Sequence, residues 1–161
     1  MDTRIPFRSA RLTGRPPYAG ASALYDGLFG PVLGPARLAA DLQDWSRHAV
    51  APWVLFHAAH PVGVAGFRIG FGQDGLELSF HFLPEVAGQG LASEFVQAAL
   101  DHAVTTLRED RFFAIVPAGH AAPLRILQKA GFTEERMIDD ARLMRLTLPQ
   151  GPAAHPTRQA C

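Results

Sequence analysis

The chain has 161 residues, of which 48% are hydrophobic and 19% charged, and its 15 Lys+Arg balance 15 Asp+Glu to a net charge of zero. This length fits one domain, and the composition is that of a folded soluble chain rather than a disordered one. Zero net charge argues against nucleic acid as the main partner, and no apolar run approaches the ~20 residues of a membrane helix.

Fourteen of the basic residues are Arg and one is Lys129, which excludes a lysine patch. The single cysteine, Cys161, is the last residue, so neither an internal disulfide nor a cysteine zinc cluster is available. The start, Met1 to Pro6, lacks the apolar core of a signal peptide, and a reducing cytoplasmic setting is expected.

In chain order, residues 1–7 read as a lead-in. Arg8 to Arg15 alternates loosely and predicts a strand that Pro16-Pro17 ends. Tyr18 to Phe29 predicts a helix with Ala23, Leu24 and Leu28 on one stripe, and Gly30-Pro31 breaks it. Pro35 suits the first turn of a second helix reaching about Ala49, with Leu38, Leu42, Trp45 and Ala49 on one face. Trp53 to Ala58 and Val62 to Phe71 predict strands of a hairpin that turns at His60-Pro61.

Leu76 to Leu83 follows the Gly72-to-Gly75 turn. Leu76, Leu78, Phe80 and Phe82 alternate with Glu77, Ser79 and His81. An amphipathic helix is expected over about Leu91 to Leu107, with Phe95, Val96, Ala99 and Ala103 on its apolar face. Phe112 to Val116 is a short apolar strand. Pro123 to Ala130 begins with Pro and ends before Gly131, which predicts a short helix. Phe132 to Arg136 and Arg142 to Leu148 predict two final strands around an Ile138-Asp139-Asp140 turn. The order β-α-α-β-β-β-α-β-α-β-β describes one mixed α/β domain over residues 1–148, with residues 149–161 expected as a disordered tail.

The segment Leu83-Pro-Glu-Val-Ala-Gly-Gln-Gly-Leu-Ala-Ser-Glu94 joins a strand to a helix through Gly-x-Gly. Glycine allows close backbone approach, and the first N–H groups of a helix lack internal partners. Together they suit a phosphate or pyrophosphate, and backbone donors would supply that site without a basic surplus. On its own the motif reads first as a tight strand-to-helix turn. It has neither the Gly-Lys-Ser/Thr of an ATPase loop nor the third glycine of the dinucleotide fingerprint.

The longer run from Leu76 to Glu94 resembles the acetyl-CoA motif of the GNAT N-acetyltransferase superfamily. It is most similar to the branch that acetylates ribosomal-protein N-termini, in which Pro-Glu-x-x-Gly-x-Gly-x-Ala-x-Glu is usual. Leu124-Arg-Ile-Leu-Gln-Lys-Ala-Gly-Phe132 resembles the family's Ile-Arg-Val-Leu-Glu-Lys-Leu-Gly-Phe. Ala10 to Pro17 resembles that branch's first strand, and Asp140 to Leu148 its last, so the likeness covers about residues 8–148.

The resemblance implies the GNAT fold, acetyl-CoA or another acyl-CoA as donor, and a primary amine as acceptor (a small molecule, a peptide N-terminus or a lysine); the histidine spacing predicts no metal. A monomer or homodimer is expected, and charge and hydropathy predict neither nucleic acid nor membrane as partner. The backbone of Phe80 to Phe82 would pair with the pantetheine arm. The N–H groups of Gly88, Gln89, Gly90, Leu91 and Ala92 would hold the pyrophosphate. The strands of Leu76 to Leu83 and Phe112 to Val116 would splay to admit the thioester.

Glu85 stands where many members carry Gln or Arg. His120 and Pro123 occupy the family's Asn-x-x-Ser positions, and Leu127 replaces the Tyr that often protonates the leaving thiolate. The chemistry needs a neutral amine, so a base is required. Glu77 is the first candidate, and its structural alternative is a solvated or substrate-orienting carboxylate. His81, on the same face, would serve as base or relay, or as an ordinary strand histidine. Ser79 between them would position a water, and His120 would donate to the cofactor arm or the thiolate, or stand as a loop histidine in solvent. Phe29, Trp45 and Trp53 are core candidates, and the two early helices would bring one or two of them to the acceptor cleft. The alternative to catalysis is a non-catalytic acyl-CoA-binding module with the same fold.

Overall fold

In the computed structural model, residues 7–70 and 72–149 are described. Alternation of apolar and polar residues builds an eight-stranded mixed sheet. Its strands are β1 (Phe7–Arg8), β2 (Leu12–Arg15), β3 (Trp53–His57), β4 (His60–Ile69), β5 (Leu76–Phe82), β6 (Arg111–Pro117), β7 (Thr133–Ile138) and β8 (Ala141–Thr147). Their order across the sheet is β1-β2-β3-β4-β5-β6-β8-β7. All neighbours are antiparallel except β5 and β6.

The helices are α1 (Ser22–His48), α2 (Leu91–His102), continued by a π-helical turn over Ala103–Leu107, and α3 (Ala121–Lys129). They cover opposite faces of the sheet. Phe95, Val96 and Ala99 of α2, with Leu127 of α3, pack on Leu55, Ala65, Phe67 and Leu78. Leu24, Tyr25 and Leu38 of α1 pack on Val54 and Val64. The expected mixed α/β architecture and element order hold, with one strand added.

That addition corrects the first element. The predicted strand over Arg8 to Arg15 is two strands, because the chain reverses between Arg8 and Leu12 and pairs Phe7 with Gly14. The Ser9 N–H donates to the Leu12 carbonyl at 2.9 Å and closes the reversal. Phe7, read as lead-in, is fully buried and stacks on Trp53 at 4.8 Å. The two expected early helices form one run interrupted at Gly30, whose φ of 84° breaks the helical path. Pro31, rather than Pro35, therefore opens the second segment, where its missing N–H costs no helical bond.

The β3–β4 hairpin turns at Ala58 and Ala59, not at His60-Pro61. Both alanines adopt the left-handed conformation, with φ of 49° and 66°. The cross-strand pair His57↔His60 leaves a two-residue loop, and such loops match the strand twist only with positive φ at both positions. From residue 150 onward, the expected tail lies outside the described residues.

Candidate active site

The parallel pair β5–β6 is held at Leu76↔Phe112 and Glu77↔Phe113. Beyond those positions the strands diverge, although β5 runs to Phe82 and β6 to Pro117. The opening contains a cavity of about 360 Å³, lined by Arg37, Arg68, Glu77, Ser79, His81 and His120 among others. All four residues proposed from the sequence for chemistry therefore face one space. Phe80 lines the same cavity, at the diverging edge of β5.

Strand alternation explains this convergence. Glu77, Ser79 and His81 lie opposite Arg68, Gly66 and Val64 on β4. Val64 packs under α1, so the polar face of β5 turns toward α1 while Leu76 and Leu78 enter the core against α2. His120 comes from the loop between β6 and α3.

The electrostatics of the cavity separate its candidates. Burial raises the Glu77 carboxyl pKa, against the lowering fields of Arg68 and Arg37. His81 is exposed to solvent and lines the cavity wall. Desolvation there, then the charges of Arg37 and Arg68 and the neighbouring His120, push His81 down to about 4. His81 is therefore a neutral imidazole near pH 7. Its ring meets Phe29 edge-on at 4.9 Å, and the Arg37 guanidinium lies over Phe29 at 4.5 Å from the ring centre.

Behind the cavity lies a polar cluster that the sequence reading missed. The fully buried Tyr25 hydroxyl donates to Asp41 Oδ2 at 2.5 Å. Arg68 Nη2 meets Asp41 Oδ1 at 2.6 Å, and Asp44 lies at 3.9 Å from Arg68. The Arg68 contact is an ion pair without hydrogen-bond alignment, so Oδ1 has only a charge partner. Burial raises the Asp41 pKa in spite of Tyr25 and Arg68. No sequence signal pointed here, because Asp41 lies within an amphipathic pattern whose neighbours Leu38 and Leu42 are apolar.

A second cavity, of about 300 Å³, lies at the start of α2 and is lined by Phe82, Gly88, Gly90, Leu91, Ala92 and Ser93, with Arg125 and Lys129 of α3. Gly88 and Gly90 have φ of 78° and 75°, a region that residues with a Cβ enter at a cost. Gly90 is the residue that opens α2, so the first N–H groups of that helix point out of its start. Nothing lies within 4 Å of a Cβ built on Gly88, which leaves room for a ligand against the backbone.

Gln89 is not part of that lining, and its carbonyl accepts from Arg11 Nη1 at 2.9 Å. Arg11 also donates through its backbone N–H and Nε to Glu94, at 2.9 and 2.8 Å, and the Ser9 hydroxyl donates to Glu94 at 2.6 Å. The β1–β2 turn thus braces the glycine loop. Against partial desolvation, these bonds hold the Glu94 carboxyl below its usual range. Arg125 and Lys129 add charge to a site expected from backbone donors alone. Their i, i+4 spacing in the block from Leu124 to Phe132 was the signal available.

Of the aromatic candidates, Phe29 reaches the cleft through His81, and Trp53 is buried in the core. Among the described residues, no group of three or more His, Cys, Asp or Glu side chains is arranged to hold a metal. None of the described helices is long and apolar enough to cross a membrane.

The family model for the acetyltransferase (GNAT) domain matches residues 29–133. No curated protein matches the sequence. Several solved structures are similar in fold. A candidate GnaT-family acetyltransferase from Bordetella pertussis is 21% identical, with a TM-score of 0.75 over 91% of this chain and 100% of that one. A variant of the spermidine N-acetyltransferase SpeG from Vibrio cholerae is 17% identical, with a TM-score of 0.71 over 86% and 94%. A candidate ribosomal-protein-serine acetyltransferase from Vibrio cholerae is 14% identical, with a TM-score of 0.73 over 91% and 99%.

Proposed function

The chain belongs to the GNAT acetyltransferase family and is an acetyl-CoA-dependent N-acetyltransferase; from that premise we propose that it transfers acetyl to a primary amine in the β5–β6 opening, with Glu77 as base. The observation that carries this reading is the shared lining of one cavity by Glu77, Ser79, His81 and His120, at the place where β5 and β6 part. The glycine loop and the start of α2 hold the pyrophosphate, with Arg125 and Lys129 at its rim.

Glu77, whose pKa is raised by burial, accepts the amine proton directly or through a water at Ser79. The amine then attacks the thioester carbonyl. A C–N bond forms, and a backbone N–H near Phe82 stabilises the oxyanion. The C–S bond breaks as the intermediate collapses, the new nitrogen gives up its second proton, and the departing thiolate, with a pKa near ~8.5 like that of a cysteine, takes up that proton through water or His120. Neutral His81 accepts or donates one hydrogen bond to the acceptor without adding charge.

The acceptor is a small molecule, a peptide N-terminus or a lysine. The motif likeness to the ribosomal-protein branch puts a serine-initiated peptide in the test panel. The test follows free CoA thiol after mixing acetyl-CoA with amines of each class. Amine-dependent release that Glu77→Gln removes supports the reading. CoA binding by calorimetry, with no release for any class, overturns it in favour of an acyl-CoA-binding module.

A further inference from the structure

We propose that the acceptor amine carries a carboxylate, and that Arg37 binds it. This deepens the preceding reading and rests on it. The cavity that holds Glu77 has two cationic side chains, Arg37 and Arg68. They are not equivalent. Arg68 is committed to Asp41 at 2.6 Å, with Asp44 beyond at 3.9 Å. Among the described residues, Arg37 has no carboxylate in ion-pair contact. Its guanidinium instead lies over the Phe29 ring, which makes an edge contact with His81.

Phe29 thus orients Arg37 without neutralising it. The remaining titratable residues in the lining are Glu77, His81 and His120, so Glu77 is the sole acidic side chain among them. Glu77 is assigned to the proton, and His81 is uncharged near neutral pH. Arg37 is therefore the one guanidinium of this cavity that, among the described residues, has no carboxylate in direct contact. A guanidinium held in place, with its fork of donors free, matches a carboxylate in two parallel hydrogen bonds.

A polyamine fits this lining poorly. Each additional ammonium would meet Arg37, and no carboxylate besides Glu77 lines the space to receive it. The spermidine enzyme that shares the fold therefore does not predict this acceptor.

The test compares amines that differ only in carboxylate against carboxamide, such as 4-aminobutyrate with 4-aminobutyramide and phenylalanine with its amide, together with spermidine. The expected ratio of kcat/KM favours the carboxylate by at least tenfold. In Arg37→Gln the ratio falls to near one, mostly through KM, and Arg37→Lys restores part of it. Amine pKa differences within a pair cancel when the two enzymes are compared. A wild-type preference for the carboxamide or for spermidine overturns the proposal, as does an unchanged ratio in folded Arg37→Gln. If no amine of either charge releases CoA, the acetyl-transfer reading fails instead. Calorimetry on the CoA-saturated protein then reads the charge preference directly, and equal affinity for both members of a pair overturns it.

Discussion

Arg68 and Glu77 stand directly opposite each other on the antiparallel β4–β5 pair, yet the Arg68 guanidinium makes its ion pair with Asp41 instead. The buried Tyr25–Asp41 pair draws Arg68 toward α1. Glu77 keeps the field of that cation without a direct contact, so burial dominates and its pKa rises. A carboxylate tied to arginine would be a poor base, whereas a desolvated one is better matched to its task.

Glu77→Gln is expected to lower kcat by ~10²- to 10⁴-fold with little change in KM. The lowest acidic inflection of the pH–rate profile should lie above the ordinary carboxylate value of ~4.3, because protonated Glu77 is inactive and its pKa is raised. Arg37 lowers that pKa, so the inflection should move to higher pH in Arg37→Gln. Movement to lower pH would remove Glu77 from the role of base.

His81 gives a stability signature. Its folded pKa is about 4, against ~6.5 when unfolded. Between those values the unfolded chain binds the extra proton, so this residue's contribution to stability is complete above 6.5 and is lost as pH falls toward 4. Urea midpoints measured from pH 4 to 6.5 should therefore rise less steeply with pH in His81→Gln than in the wild type.

Asp41→Ala is expected to destabilise the fold by about 3–5 kcal/mol, because it leaves the Tyr25 hydroxyl and Arg68 without their partner. Tyr25→Phe should cost less, about 1–2 kcal/mol, since Arg68 remains to neutralise Asp41. Urea unfolding of the two variants checks the order, and equal losses would mean that Arg68 does not compensate.

Gly90→Ala places a Cβ at a φ of 75°, where a left-handed residue costs about 1–2 kcal/mol. The loop is expected to shift and CoA affinity to fall at least tenfold by calorimetry. Glu94→Ala removes the acceptor for Ser9 and Arg11 and should weaken CoA through the same loop. An unchanged CoA affinity in both variants would place the pyrophosphate elsewhere.

The double change Ala58→Asn, Ala59→Gly is expected to stabilise the protein by about 0.5–1 kcal/mol, because both positions already have positive φ. Thermal unfolding reads the gain. A loss would mean that the Ala59 methyl makes contacts worth more than the backbone strain it imposes.

Much of this molecule was legible in period and punctuation. The alternation from Leu76 to Phe82 placed Glu77, Ser79 and His81 on one face, because successive strand residues point to opposite sides. The Gly-x-Gly of Gly88 and Gly90 marked the start of α2, because few other residues hold positive φ at low cost. The break near Gly30 and the short helix before Gly131 were read by the same local rules. These features depend on neighbours a few residues apart, so the linear order of the chain carries them.

Pairings between distant segments were out of reach. Nothing near Arg11 in the chain announces Glu94, 83 residues away, and nothing near Tyr25 announces an aspartate in the core. The partner of Arg68 is chosen by burial. Asp41 is fully enclosed and requires a cation, whereas Glu77 is only partly buried and lines an open cavity. Arg37 and Arg68 are equal cations on paper. They differ because folding brings a buried carboxylate to Arg68 and an aromatic ring to Arg37, so packing sets which of the two keeps a carboxylate contact.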